Sequence, residues 1–104
     1  TDHQYMASAE YLLAQTLLAT NQPKQAEQLL RKNITRWKEN SAPEWRVARS
    51  ESLLGAALIA LNHNHEGEQL LHSSYLLLQN KNSGASPQVI SEAKNRLTLL
   101  TQSY

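Results

Sequence analysis

Apolar side chains recur every three or four residues in five stretches, separated by short polar breaks. The first stripe is Met6, Ala9, Leu13 and Leu17. The second is Ala26, Leu30, Ile34 and Trp37, and the third Val47, Leu54, Leu58 and Leu61. Leu71, Tyr75 and Leu78 form the fourth, and Ile90, Ala93, Leu97, Leu100 and Tyr104 the fifth. No β-branched run alternates at period two, so no strand is predicted. Each of the three prolines falls at a predicted helix start, where a missing N–H costs nothing. Asn21 is the expected N-cap before Pro23, Ser41 with Glu44 has capping-box spacing around Pro43, and Ser86 caps Pro87. The polar turn Asn62-His63-Asn64-His65 precedes the fourth helix. Helices are therefore predicted over about 4–20, 23–38, 43–61, 66–80 and 87–103. Short connections make neighbours antiparallel. The link Lys81–Ala85, polar and containing Gly84, is expected to be the most mobile.

The pattern occurs twice. Leu12-Leu13-Ala14 followed by Ala26-Glu27-Gln28-Leu29-Leu30 returns, 41 positions later, as Leu53-Leu54-Gly55 followed by Gly67-Glu68-Gln69-Leu70-Leu71. A fixed displacement carrying two helical halves predicts stacked helix hairpins. Repeat one spans about 4–38, repeat two about 43–80, and a terminal half-repeat helix about 87–103. Small residues hold equivalent places: Ala14 and Gly55 in the first helices, Ala26 and Gly67 in the second. Glycine inside a helix costs about 0.5–1 kcal/mol against alanine, so close helix–helix approach is expected at Gly55.

Composition narrows the function more than it defines it. A chain of 104 residues makes one domain. Ten Lys and Arg against nine Asp and Glu give a net charge of +1, without the clustered basic face that nucleic acid requires. There is no cysteine, which excludes disulfides and thiol chemistry. The longest apolar run, Leu53 to Leu61, is too short to insert across a bilayer. The helical pattern starts almost at Thr1, and the chain is expected to be a piece of a longer protein.

The small residue after Leu in each first helix, and small-Glu-x-x-Leu in each second helix, resemble the tetratricopeptide (TPR) pattern. Leu13-Ala14, Leu17, Ala26 and Leu30 fit one copy, and Leu54-Gly55, Leu58, Gly67 and Leu71 the next. The fifth helix resembles the first half of a third copy, with Leu97 at the matching place. Two departures stand out. Leucines replace the usual aromatics, and the 41-residue step exceeds the usual period of about 34, as in the long-helix variants of kinesin light chains. The segment from Pro43-Glu44-Trp45-Arg46-Val47-Ala48 to Ser86-Pro87 is similar to TPR tails that follow the catalytic domain of bacterial eukaryotic-like serine/threonine kinases. The resemblance implies an all-α, TPR-like solenoid that contacts protein or peptide as a regulatory or sensory tail. Kinase activity would reside in another domain, because the chain has no Gly-rich phosphate loop, His-Arg-Asp loop or Asp-Phe-Gly. An oligomerisation or spacer module, and the TPR part of a transcriptional regulator or secretion-associated protein, are the alternatives.

Two surfaces could carry contacts. By the family register the concave face holds Ser8, Tyr11, Gln15, Leu18, Arg49, Ser52, Ala56, Ile59, Asn95 and Leu99. Tyr11, Gln15, Leu53 and Ala56 stand where carboxylate-gripping families use Lys, Asn and Arg, which disfavours a chaperone-tail clamp. The second surface is Trp45 with Arg46 and Arg49, off the Val47–Leu54 stripe, whereas Trp37 continues its stripe into the core. The candidate partner-binding residues are thus Tyr11, Gln15, Trp45, Arg46, Arg49, Ser52 and Ile59. No catalytic group, cofactor or metal site is expected: His63 and His65 read as a solvated turn, and the only aspartate is Asp2. Leu97, Leu99 and Leu100 cannot all face one neighbour, so self-association through a terminal helix, giving a homodimer, is expected.

Overall fold

Three tight turns set the path of the chain. In the computed structural model, which describes residues 2–102, α1 (Asp2–Ala19), α2 (Pro23–Glu39), α3 (Glu44–Ala60), α4 (Asn64–Gln79) and α5 (Pro87–Gln102) run in sequence. There is no strand among the described residues. The all-α, antiparallel hairpin arrangement is as the periodicity predicts. Tyr104 and the predicted end of the last helix at 103 lie outside the described residues.

The predicted caps at Asn21 and Ser41 require correction. Both residues sit in the left-handed region, with φ of 64° and 55°, as does Asn62 at 65°. Each ends the helix before it, and the following N–H bonds back five residues: Gln22 to Leu17 O at 2.8 Å, Ala42 to Trp37 O at 3.0 Å, His63 to Leu58 O at 2.8 Å. A residue turned this way lacks the extended backbone that an N-cap needs. Gln22 and Pro43 are the N-caps instead, neither with a capping side-chain bond, so the Ser41–Glu44 capping box does not form. Ser86 does cap α5, with its Oγ accepting from Val89 N at 3.3 Å.

α3 is the central element and touches each of the other four helices. Leu30, Ile34, Leu53, Leu54 and Leu58 close the core between the two hairpins, together with Tyr11 and Ala14. α1 enters with a different face from the predicted one. Ala7, Tyr11 and Ala14 are buried, whereas Met6 and Leu13 are 49% and 53% exposed. The reason is close approach, because Asn33 of α2, fully buried, donates from Nδ2 to Ala7 O at 2.7 Å. Only a small side chain leaves room for that bond. Asn33 Oδ1 accepts from Ser50 Oγ at 2.6 Å, so one amide ties α1, α2 and α3 together with its polar groups satisfied.

The glycines meet where the sequence places them. A Cβ on Gly55 would lie 2.9 Å from Leu71 Cγ and 3.1 Å from Gly67 O; one on Gly67 would lie 3.0 Å from Gly55 O. α3 and α4 therefore touch backbone to backbone. α5 lies across both helices. Leu100 packs with Ile59 and Leu71, flanked by Leu97 and Leu99, while Val89 and Ala93 join Ala48 and Leu78. All three α5 leucines are thus at least partly covered within one chain, by a cluster that two helices, α3 and α4, build together.

Gly55→Leu is expected to lose about 1–3 kcal/mol through overpacking. Gly55→Ala is also expected to lose stability, even though alanine is the better helix former. Thermal melts followed by circular dichroism test this, and an unchanged or raised Tm for the alanine variant would contradict the contact.

Candidate functional site

The concave face is not an open groove. Tyr11 is 3% exposed, Ser52 0% and Ile59 8%, so three of the seven candidate residues are interior. α5 packs on α3 and α4, and its Arg96 side chain reaches across to α1. Arg96 donates from Nη2 to Tyr11 Oη at 2.9 Å and from Nη1 to Ser52 Oγ at 3.1 Å. Arg49 makes a two-bond pair with Glu92, both at 3.1 Å, and its guanidinium lies 4.5 Å from the Tyr11 ring centroid. Burial disfavours the Arg49 charge, but the Glu92 bond and the Tyr11 contact outweigh it and leave its pKa raised. Gln15 is exposed on α1, away from these residues in burial and bonding.

Sequence reasoning missed Glu92 and Arg96. Their i, i+4 spacing on α5, beside the apolar Val89 and Ala93, is the signal that could have found them. Periodicity alone reads such a pair as a solvated flank.

The other predicted surface is assembled. Two adjoining clefts, of about 350 and 120 Å³, open where α1, the end of α2 and the start of α3 meet, and both are lined by Trp37, Trp45 and Arg46. The larger also takes His3, Gln4, Arg36 and the 40–43 turn; the smaller takes Ser8, Tyr11, Leu12, Arg49 and Ser50, so the predicted residues Tyr11, Trp45, Arg46 and Arg49 share one cleft. The Arg46 guanidinium lies 4.6 Å from the Trp45 ring centroid and 5.2 Å from that of Trp37. Trp45 is half-buried, and Trp37 is buried in its stripe yet walls both clefts. Gly84, at φ 84°, brings the α4–α5 link against Trp45: a Cβ there would lie 3.3 Å from Trp45 Cδ1. That link is tied by Ser83, whose Oγ donates to Leu78 O at 2.9 Å and accepts from Ala85 N at 3.1 Å.

Charge in the clefts is one-sided, with no Asp or Glu in either lining. Arg36 is paired with Glu10 at 3.0 Å and Arg49 with Glu92, whereas Arg46 has no carboxylate partner among the described residues. The Trp37 indole Nε1 is buried with no acceptor. Among the described residues no group of three or more metal-ligating side chains gathers, and no helix is long and apolar enough to cross a membrane.

Comparison of the chain with family models, with curated proteins and with solved structures found no match.

Two carboxylates couple the hairpins to pH. Burial raises the pKa of Glu10 and Glu27, but hydrogen bonds outweigh it (Arg36 and Asn33 on Glu10, Arg31 and Lys24 on Glu27). Both are held below the ordinary 4.5. A depressed carboxylate contributes stability above its unfolded pKa and loses it as pH falls through the folded value. Glu51 runs oppositely: burial raises its pKa, so its contribution is lost as pH rises. Thermal melts are therefore expected to show Tm dropping on acidification below about 4.5. Glu10→Gln should flatten that limb, and an identical acid slope in the variant would contradict the assignment.

Proposed function

We propose that this chain is a TPR-like protein-interaction module without catalytic activity of its own, and that the Trp45–Arg46 cleft is its contact surface. The parent we infer is a bacterial signalling protein such as a serine/threonine kinase, with this chain as the regulatory or sensory tail. The observation that carries the contact surface is an acid-free cleft at the junction of the hairpins, with an arginine stacked against two tryptophans. Tryptophan and arginine are enriched among the residues that dominate binding energy at interfaces, the first through its large rigid ring and the second through a planar fork that stacks and bonds carboxylates in pairs. The cleft forms only when α1, α2 and α3 are assembled, so folding and binding competence are linked. Arg96 and Glu92 occupy the inner face, which supports placing the contact in this cleft rather than along that face. Selection of displayed peptides is expected to enrich sequences retained by the native chain and lost by Trp45→Ala and Arg46→Ala. Arg46→Ala should keep the native circular dichroism melt, whereas Trp45→Ala, which also removes packing on Ala48, Leu78, Val89 and Ala93, should lower the Tm while staying helical at the assay temperature; peptides held equally by the variants would refute the site.

A second reading, self-association, has its own observation. Tyr5, Met6, Leu12 and Leu13 form an exposed apolar stripe on α1, opposite its buried Ala7, Tyr11 and Ala14. We infer that a second copy of α1 covers this stripe, so that the terminal helix mediating the homodimer is α1 rather than α5. Sedimentation equilibrium is expected to show a concentration-dependent dimer that Leu13→Lys abolishes without loss of helix. A monomer at several hundred micromolar would exclude it.

A further inference from the structure

The Arg46 charge in the Trp45–Arg46 cleft has no carboxylate to answer it, and that imbalance points to what the cleft takes. The helix end that could have supplied acceptors is closed. Near the C-terminus of α2, Arg36 O accepts from Asn40 N and Asn40 Nδ2, Trp37 O from Ala42 N, and Lys38 O from Ser41 N. The helix end that supplies donors is open. No side chain caps α3; Arg46 N donates to Pro43 O at 3.0 Å, and the amides of Glu44 and Trp45, at the positive end of the helix dipole, are left for water or a ligand. Glu44 does not answer them from within the cleft; it lines the surface beside Leu77 on the other side. The guanidinium of Arg46 adds unpaired donors and a full positive charge.

The buried Trp37 Nε1 is the second, independent sign. An indole N–H enclosed without an acceptor is a rare and unfavourable arrangement, and such groups in native proteins call for an explanation. Trp37 is 5% exposed and walls both clefts, and the group over its ring is the Arg46 guanidinium, carried at the end of a long side chain. Nε1 itself is closed to solvent, so an acceptor in the cleft reaches it only when a neighbouring side chain moves aside.

We propose that the cleft binds the side-chain carboxylate of an aspartate or glutamate in an extended segment of a partner polypeptide. The carboxylate pairs with the Arg46 guanidinium and accepts from Trp37 Nε1, while the neighbouring apolar residue of the segment lies against Trp45 and the exposed Leu12. This rests on the interaction reading above and adds the chemistry of the partner. It is distinct from a grip on a chain terminus along the concave face, which Arg96 and Glu92 fill. A planar carboxylate matches the fork of a guanidinium with two parallel bonds and also has lone pairs to spare for the indole. An apolar ligand would leave both donors unpaired.

Both tryptophans of the chain line the cleft, so their two indole N–H signals report on it directly. The probes are two pools of blocked, tryptophan-free hexapeptides, random except for one central position fixed as Glu or as Gln, with free glutamate and inorganic phosphate as further arms. In ¹⁵N-correlated spectra of the full chain, the Glu pool is expected to move the Trp37 indole signal downfield in a saturable way. The Gln pool should bind at least tenfold more weakly. Arg46→Gln should abolish the difference between pools. Trp37→Phe, which keeps the ring and removes only the N–H, should weaken the Glu pool several-fold with the melt preserved. Equal binding of the two pools would overturn the carboxylate while leaving the interaction module standing. No binding of either pool would overturn both. Free glutamate or phosphate displacing the Glu pool at its own binding concentration would also overturn the proposal, since the site would then be one for small anions.

Discussion

The contact of Gly55 with Gly67 sets the geometry on which the rest of the molecule depends. With α3 and α4 touching backbone to backbone, the side chains that would otherwise keep them apart rise to either side of the seam. Ile59 and Leu71 are the two that lie against the glycines, and Leu100 packs on both. α5 is thereby seated across α3 and α4. From that seat its polar face reaches back to the first hairpin, Glu92 to Arg49 and Arg96 to Tyr11 and Ser52. A glycine pair in one hairpin thus fixes what happens on the inner face of the other. A pair of alanines, Ala14 and Ala26, both fully buried, holds the corresponding place in the first hairpin.

How much of this was legible in the chain depends on which face of a helix the residues constrain. The second helix is one-sided, and Ala26, Leu30, Ile34 and Trp37 are buried as their spacing predicts. The duplicated Leu30 and Leu71 lie fully buried in equivalent cores, and Gly55 and Gly67 were readable as close-approach positions because a helical glycine needs a reason. The first helix failed because it is apolar on nearly every side. Leu12 and Leu13 attract a stripe toward themselves, but the face that packs is chosen by Asn33, which must reach the Ala7 carbonyl. A constraint held by one asparagine on another helix leaves no trace in the periodicity of α1. The caps failed for a related reason. Asn21 and Ser41 are turn residues in either reading, and only the backbone angle separates the end of one helix from the start of the next.

The candidate site divides along the same line. Trp45 and Arg46 fall off the apolar stripe and are half-buried, and Trp45 lies between the cleft and the cluster of Ala48, Leu78, Val89 and Ala93. The concave residues were assigned by register, and register says which side of the array a residue faces, not whether another helix covers it. Tyr11 and Ser52 do face that side, and α5 covers them. Arg96 and Glu92 escaped notice because charged residues at i, i+4 on a terminal helix are usually solvated. Here α5 packs on both α3 and α4, and the pair reaches Arg49, Ser52 and Tyr11 instead of solvent.

Neighbouring arginines therefore reach opposite electrostatic outcomes from similar ingredients. On the inner face every arginine finds an answer: Arg49 has Glu92 and the Tyr11 ring, and Arg96 has a hydroxyl from each of two helices. At the junction of the hairpins the first helix supplies Glu10, but Arg36 and Asn33 both bond it. Arg46 is left with only aromatic faces, which stabilise a cation without satisfying its N–H groups. Stacking of that kind leaves an arginine held in place with its donors unspent. An unpaired charge at the surface costs little in water, so stability alone gives no reason to fill the cleft with an acid. A buried indole N–H without an acceptor does carry a cost, and it sits in the same wall. The fold retains both at one junction, which is the arrangement expected of a surface whose acceptors arrive on another chain.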